Sequence, residues 1–148
     1  MSGSAFGRWL FTRMVCFKAP YFATISPVFD VLETGRATAR MRKRRKVTNH
    51  IGTVHAIAMA NLCEIIAGTM TEVTVPASMR WIPRGMQINY LAKATTDLRA
   101  EGTIPEIVGN DAQDVIVSVR VMDDDDNVVV TADITMYVSP RSATPARS

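Results

Sequence analysis

The 148-residue sequence lacks the features that define several large classes of protein. It has only two cysteines, Cys16 and Cys63, which is too few for a disulfide framework, and no cysteine or histidine pair has the spacing of a structural zinc site. The longest uncharged apolar stretch near the N-terminus, residues 19–29, is too short to cross a bilayer and contains two prolines. We therefore expect a cytoplasmic protein with reduced thiols, no membrane span and no bound metal.

The composition is that of one compact domain. Hydrophobic residues make up 47% of the chain and charged residues 21%, which supplies enough apolar material for a core. The last ten residues, 139–148, are polar and contain proline, as is typical of a disordered tail. The sequence predicts a single domain over residues 1–138.

Two segments have helical patterns. Residues 4–18 place apolar side chains at spacings of three and four, which predicts an amphipathic helix that ends before Pro20. We expect this helix to lie on a sheet or on another subunit, and a membrane-surface helix is the alternative. Residues 53–70 are small or apolar on nearly every side, so this second helix belongs in the middle of the fold.

The remaining segments are strand-like. Residues 28–47 read as extended chain with a turn at Gly35, and alternating apolar residues mark strands over 86–92, 97–104, 115–122 and 128–138. The acidic run 123–126 lacks the spacing of a calcium loop and predicts a solvated hairpin turn. The sequence therefore predicts an α+β fold in which a curved antiparallel sheet packs around one central helix.

Polar side chains that could take part in catalysis or binding cluster at the start of the central helix. Asn49 precedes Gly52, which suits a tight turn, and His55 lies where backbone N–H groups are unpaired. Glu64 falls within the apolar helix, and Asn61 shares its face. Burial would make this carboxylate a stronger base, suited to general-base catalysis, but a Glu that reaches solvent fits the same spacing. The residues alone leave both interpretations open.

The order of these residues resembles that of the hotdog-fold thioesterases, whose helix start carries the pattern N-x-x-G-x-x-H-x-x-x-x-x-x-L-x-[DE]. The matching residues here are Asn49, Gly52, His55, Leu62 and Glu64. The run over residues 88–102 also resembles that family, and the two matches together cover most of residues 47–138. The long N-terminal helix resembles an uncharacterised bacterial branch related to the phenylacetate-type thioesterases.

This resemblance implies a hotdog fold in which five or six strands wrap the central helix. It also implies that two subunits pair into one continuous sheet, as a homodimer or within a tetramer. The active sites would lie at the subunit interface, with Asn49 and His55 of one chain facing the acidic residue Glu64 of the other.

The implied reaction is hydrolysis of an acyl-CoA or acyl-carrier thioester, with coenzyme A present only as part of the substrate. The carbonyl would rest near the N–H of His55 or Ala56, where the helix dipole favours developing negative charge. Glu64 would act as general base or as nucleophile, and Asn49 would orient water or the carbonyl.

We expect substrate binding at Gly52, Ala56, Asn61, Arg84 and Lys93. The sequence departs from the family at Ala56 and Ile57, where relatives carry glycines, and at Lys93, where many carry proline. Arg84 and Trp81 flank Pro83 and either line an acyl pocket or pack.

A basic run over residues 40–46 precedes the site. It could bind the phosphates of coenzyme A, an acidic carrier protein or nucleic acid, or it could be a solvated loop. No aromatic residues interleave the basic ones, which disfavours nucleic acid as a partner.

Two other functions fit the same fold. The first is a non-catalytic acyl-CoA or lipid-binding hotdog protein. The second is an acyl hydratase or dehydratase, which needs a different arrangement of His and Asp along the helix and is disfavoured here.

Overall fold

The computed structural model describes residues 6–7, 10 and 23–141. The elements that lie wholly within these residues are six strands, one α-helix and a short 3-10 turn. In chain order they are β1 (Val28–Glu33), β2 (Arg36–Met41), the 3-10 turn (Arg45–Val47), α1 (Ala56–Thr74), β3 (Met79–Tyr90), β4 (Leu98–Thr103), β5 (Gln113–Met122) and β6 (Val128–Pro140).

The six strands form one antiparallel sheet in the order β1-β2-β4-β5-β6-β3. In β5 and β6 alternate residues are buried, as the apolar alternation of the sequence predicted. The hairpin between β1 and β2 turns at Gly35, whose φ of +87° is a conformation that favours glycine. The acidic run forms the tight connection between β5 and β6, where two backbone N–H groups donate to Asp123 and lower the pKa of its carboxyl.

The helix α1 packs across one face of the sheet and contacts all six strands. Small side chains on β2 and β4 let it approach closely, and the limit is reached at Gly102, where an added Cβ would lie 2.6 Å from Cγ2 of Ile66. Cys63 is fully buried in this contact, and its burial raises the pKa of its thiol to about 12. At 19 residues α1 is long and apolar enough to cross a membrane, but it is mostly buried against its own sheet, as the core helix of a soluble protein would be.

The structure confirms the α+β architecture and shifts several boundaries. The central helix begins at Ala56 rather than at residue 53 and continues to Thr74. Of the helix predicted over residues 4–18, only residues 6–7 and 10 are described. These three residues are helical, but they do not establish the element, most of which lies outside the described residues. The strand β6 runs through Pro140, past the predicted start of the tail at residue 139, and residues 142–148 lie outside the described part.

The sequence analysis missed the first half of β3, because Pro83 lacks a backbone N–H and normally interrupts a sheet. The structure accommodates this proline because β3 is an edge strand with a bulge between Pro83 and Gly85. Trp81 and Arg84 therefore belong to a strand and not to a connecting segment.

Candidate active site

Asn49 organises the turn that leads into α1. Its Oδ1 accepts hydrogen bonds from the backbone N–H groups of Ile51 and Thr53, both at 3.1 Å, and its Nδ2 donates to Oγ1 of Thr53 at 2.8 Å. Gly52 completes the turn with a φ of +82°. The carbonyl oxygen of the Asn49 amide is therefore engaged within the chain, and one N–H of that amide remains for another acceptor.

His55 caps the N-terminus of α1. Its Nδ1 accepts a hydrogen bond from the backbone N–H of Ile57 at 3.0 Å, and its own backbone N–H donates to the carbonyl of Val47 at 2.7 Å. Because Nδ1 is the acceptor, the neutral imidazole carries its proton on Nε2. His55 is exposed, so this Nε2–H is available to a ligand.

The cap leaves Ala56 as the candidate oxyanion donor. The N–H groups of His55 and Ile57 are both occupied, whereas the Ala56 N–H has no acceptor among the described residues. The sequence analysis proposed the N–H of His55 or of Ala56 as the donor, and of these two only the Ala56 N–H has no acceptor among the described residues. A free N–H at the first turn of a helix, at the positive end of its dipole, suits a developing negative charge.

An open cleft of 390 Å³ lies on one side of the helix start and brings together Asn49, Ala56 and Lys93. Tyr90 and Leu91, at the end of β3, also line it. The sequence analysis did not assign these two residues to the site, although they belong to the second family-like run. Three of the expected site residues thus meet in one cleft.

A second cavity, of 190 Å³, lies on the other side of the helix start and contains His55 and Asn61 together with Lys46 and Thr48. Asn61 is only 7% exposed, yet its amide makes no hydrogen bond with any described residue. Every fully buried side-chain N or O atom in the described part has a partner, so the amide of Asn61 must reach the space inside this cavity.

Glu64 lies in neither cavity. It is exposed on α1 and forms no ion pair or hydrogen bond with any described residue. The sequence analysis left open whether this carboxylate is buried or reaches solvent, and among the described residues it reaches solvent. Groups that enclose it would have to come from outside the described residues.

Arg84 is also separated from the helix start. Its guanidinium forms an ion pair with Asp114 at 3.0 Å and lies 5.1 Å from the ring centre of Tyr137. Asp114 and Tyr137 lie on the outer face of the sheet, away from α1. Their neighbours along β5 and β6 are buried and point toward the helix. The structure therefore does not bring Arg84 to the other expected substrate-binding residues.

Comparison with solved structures defines the class of fold. The thioesterase HI1161 from Haemophilus influenzae is similar with a TM-score of 0.71 and 12% identity, over 81% of this chain and 82% of that one. PA5026 from Pseudomonas aeruginosa, named as a protein of unknown function and probable thioesterase, is similar with a TM-score of 0.81 and 19% identity, over 89% and 95%. At these identities the likeness shows that the chain has the hotdog fold.

The family is fixed by sequence. The family model described as a domain of unknown function, DUF4442, matches residues 7–138, so the chain belongs to that family. A solved structure from a structural-genomics effort, called APC5556, is 48% identical, with a TM-score of 0.81 and coverage of 88% of each chain. No curated protein matches the sequence.

Proposed function

We propose that this protein is a thioesterase that hydrolyses acyl-CoA or related acyl-carrier thioesters in the cytoplasm, at a site shared by two copies of the chain. The observation that carries this proposal is that Ala56, whose N–H has no acceptor among the described residues, lines the 390 Å³ cleft together with Asn49. A thioester carbonyl bound there would accept a hydrogen bond that strengthens as negative charge develops on its oxygen. The thioesterase names of two structures with the same fold support this choice.

The second copy is inferred from the unequal edges of the sheet. The edge strand β1 has six residues, a bulge and an ion pair between Asp30 and Arg40, which are features that discourage pairing with another strand. The opposite edge strand, β3, has 12 residues and leaves Ile82, Met86 and Tyr90 exposed. A long apolar edge of this kind is suited to pairing with another chain, and we propose that two β3 strands join two sheets in a homodimer.

Pairing at β3 would enclose Glu64, which is exposed to solvent in a single chain. The helix lies against the start of β3, where Nε1 of Trp81 donates to Glu72 at 2.7 Å and the ring of Trp81 approaches Gly68. Glu64 lies about one turn from Gly68, on the same exposed stripe of α1. A partner joined along β3 would thus cover the stripe and place Glu64 close to the cleft of the partner.

The proposed reaction begins when Glu64 takes a proton from water. The resulting hydroxide attacks the thioester carbonyl, whose oxygen is held by the Ala56 N–H. The intermediate then collapses, the carbon–sulfur bond breaks, and the leaving thiolate takes up the proton that Glu64 accepted, which gives a thiol and a carboxylic acid and restores the Glu64 carboxylate. Direct attack by Glu64, which would form a mixed anhydride that water then hydrolyses, uses the same residues.

Substitution of the acidic residue tests the proposal. We expect Glu64→Gln to lower kcat for acyl-CoA hydrolysis by about 100-fold or more, because general-base catalysis contributes that much, while the folded structure is unchanged. The measurement is a hydrolysis assay over a panel of acyl-CoA chain lengths.

The matched control is Glu72→Gln, which makes the same change on the same helix and keeps an oxygen acceptor for Trp81. Equal rates for the Glu64 variant and the control would contradict the assigned role. If the unmodified protein hydrolyses no member of the panel but binds acyl-CoA, the protein is a non-catalytic acyl-CoA-binding member of the fold.

A further inference from the structure

The basic segment, residues 42–46, is a run of five adjacent cations, none of which forms an ion pair with a described acidic residue. All four ion pairs among the described residues involve arginines of the sheet, namely Arg40, Arg84, Arg99 and Arg120. None of the five cationic side chains of the basic segment takes part in one. Asp97 does contact the segment, but it accepts from the backbone N–H of Lys43 at 2.7 Å.

These five charges dominate the electrostatics of the chain. The formal net charge is +3, and without the basic segment it would be −2. The positive charge is therefore concentrated at one place, directly after β2 and beside the start of α1. A concentration of unpaired cations attracts anionic ligands and raises their rate of association.

The basic segment ends at the second cavity, which is also lined by Asn61, whose amide has no protein partner. Lys46 lines this cavity together with His55, whose Nε2–H is unused. The amide of Asn61 has no protein partner and reaches the space of this cavity, so it is open to a ligand. A ligand that brings both a donor and an acceptor would pair with both ends of this amide.

The two cavities lie on either side of the first turn of α1. Ala56 lines the 390 Å³ cleft, whereas its neighbours His55 and Ile57 line the second cavity. A thioester whose carbonyl is bound at Ala56 has its carrier arm attached only one sulfur atom away. The second cavity and the basic segment are therefore within reach of the part of the substrate that leaves.

We infer that the second cavity and the basic segment bind the phosphorylated pantetheine arm of the thioester. An amide of the pantetheine would pair with Asn61, and the phosphates would lie among Lys46 and the other cations of the segment. Both coenzyme A and the prosthetic group of an acyl-carrier protein present this chemistry. The inference rests on the proposed function, because it concerns the carrier half of the same substrate.

Equilibrium binding tests this inference without requiring turnover. Coenzyme A, dephospho-CoA, phosphopantetheine and pantetheine would be titrated into the full-length protein by calorimetry. We expect affinity to fall as phosphates are removed, and we expect coenzyme A binding to weaken with added salt while pantetheine binding does not.

Substitutions locate the phosphate contacts. Lys46→Ala should weaken coenzyme A binding by about tenfold, the loss of one charge-assisted hydrogen bond, and should leave pantetheine binding unchanged. The matched control is Arg36→Ala, which removes an exposed arginine at the opposite end of β2. Equal losses for both variants would overturn the inference, as would equal affinities of the unmodified protein for coenzyme A and pantetheine.

A second variant tests the amide contact. Asn61→Leu should weaken the binding of coenzyme A and pantetheine by the same factor, several-fold to about tenfold, while its thermal midpoint is unchanged or higher. Unchanged binding of both ligands by this variant would overturn the assigned amide contact.

The outcomes separate this inference from the proposed function. Phosphate-dependent binding without hydrolysis would support the inference and contradict the thioesterase. Hydrolysis whose rate does not depend on the phosphates of the substrate would support the thioesterase and contradict the inference. Phosphopantetheine binding as tightly as coenzyme A would support an acyl-carrier protein as the source of the arm, and tighter coenzyme A binding would support free acyl-CoA.

Discussion

The two faces of α1 differ in how far the rest of the chain covers them. The face toward the sheet is closed by its own chain, so that Leu62, Cys63 and Ile66 are fully buried against the strands. On the outer face, Ile57 is 53% exposed and Glu64 has no partner among the described residues. The first face serves the stability of one chain, and the second is the face that the proposed function assigns to a ligand and another copy.

This difference separates the effects that substitutions should have. Changes on the sheet-facing side should alter the free energy of unfolding, because they disturb close packing. Changes on the outer side should alter binding or catalysis and leave stability unchanged or improved. The following predictions test this division, in order of decreasing effect on stability.

The closest contact between helix and sheet gives the largest expected loss. Gly102→Ala would place a Cβ 2.6 Å from Cγ2 of Ile66, so we expect a loss of about 2–3 kcal/mol in the free energy of unfolding, measured by denaturant titration. Gly85→Ala is the matched control, because it makes the same change in a strand with no atom within 4 Å.

Ile66→Leu should rescue the Gly102 variant, because leucine lacks the Cγ2 methyl that the new Cβ would meet. The double variant should therefore lose less stability than the sum of the two single changes. Strict additivity would show that this contact does not limit the approach of α1 to the sheet.

The buried thiol predicts a dependence of stability on alkaline pH. Burial raises the pKa of Cys63 from 9.0 to about 12, so the folded protein keeps a proton that the unfolded chain releases above pH 9. The contribution to stability is complete below pH 9 and is lost as the pH rises toward 12, at about 1 kcal/mol per pH unit.

The measurement compares the free energy of unfolding of the unmodified protein and of Cys63→Ala between pH 8 and 10.5, a range chosen to span the onset at 9.0. Titration of lysines and tyrosines is common to both proteins and cancels in the difference. A difference that does not vary with pH would show that the thiol titrates normally in the fold.

The smallest effect on stability has the opposite sign and belongs to the outer side of the helix start. Asn61→Leu replaces an amide that has no protein partner with an apolar side chain that is a better helix former, so we expect a gain of about 0.5 kcal/mol. Thermal and denaturant unfolding of the ligand-free protein would measure it. A clear loss of stability would show that the amide supports the fold rather than a ligand.

The elements with regular apolar spacing were predictable from the sequence. The strands β5 and β6 and the middle of α1 follow periods of about two and 3.6 residues. The start of α1 was misplaced by three residues, because His55 acts as a cap through Nδ1, and histidine is not among the usual capping residues. The start of β3 was missed because a proline is acceptable only where a strand lies at an edge.

The candidate site was predictable in part. The order of Asn49, His55 and Glu64 pointed to the helix start, which the structure places beside two cavities. That Asn49 uses its carbonyl oxygen within its own turn, and that Ala56 is left as the free donor, could not be read from spacing. Hydrogen-bond partners depend on atoms that are brought together by the turn itself.

Sequence alone determined that this protein has an apolar central helix within an antiparallel sheet, because hydrophobic periodicity is a local property that each segment carries with it. Only the tertiary structure decided that Asn61 is buried and Glu64 exposed, although they lie on the same helix three residues apart. It also decided that four arginines of the sheet have acidic partners while, among the described residues, the basic segment has none. Burial and pairing are set by what packs against a residue, and the packing neighbours come from distant parts of the chain.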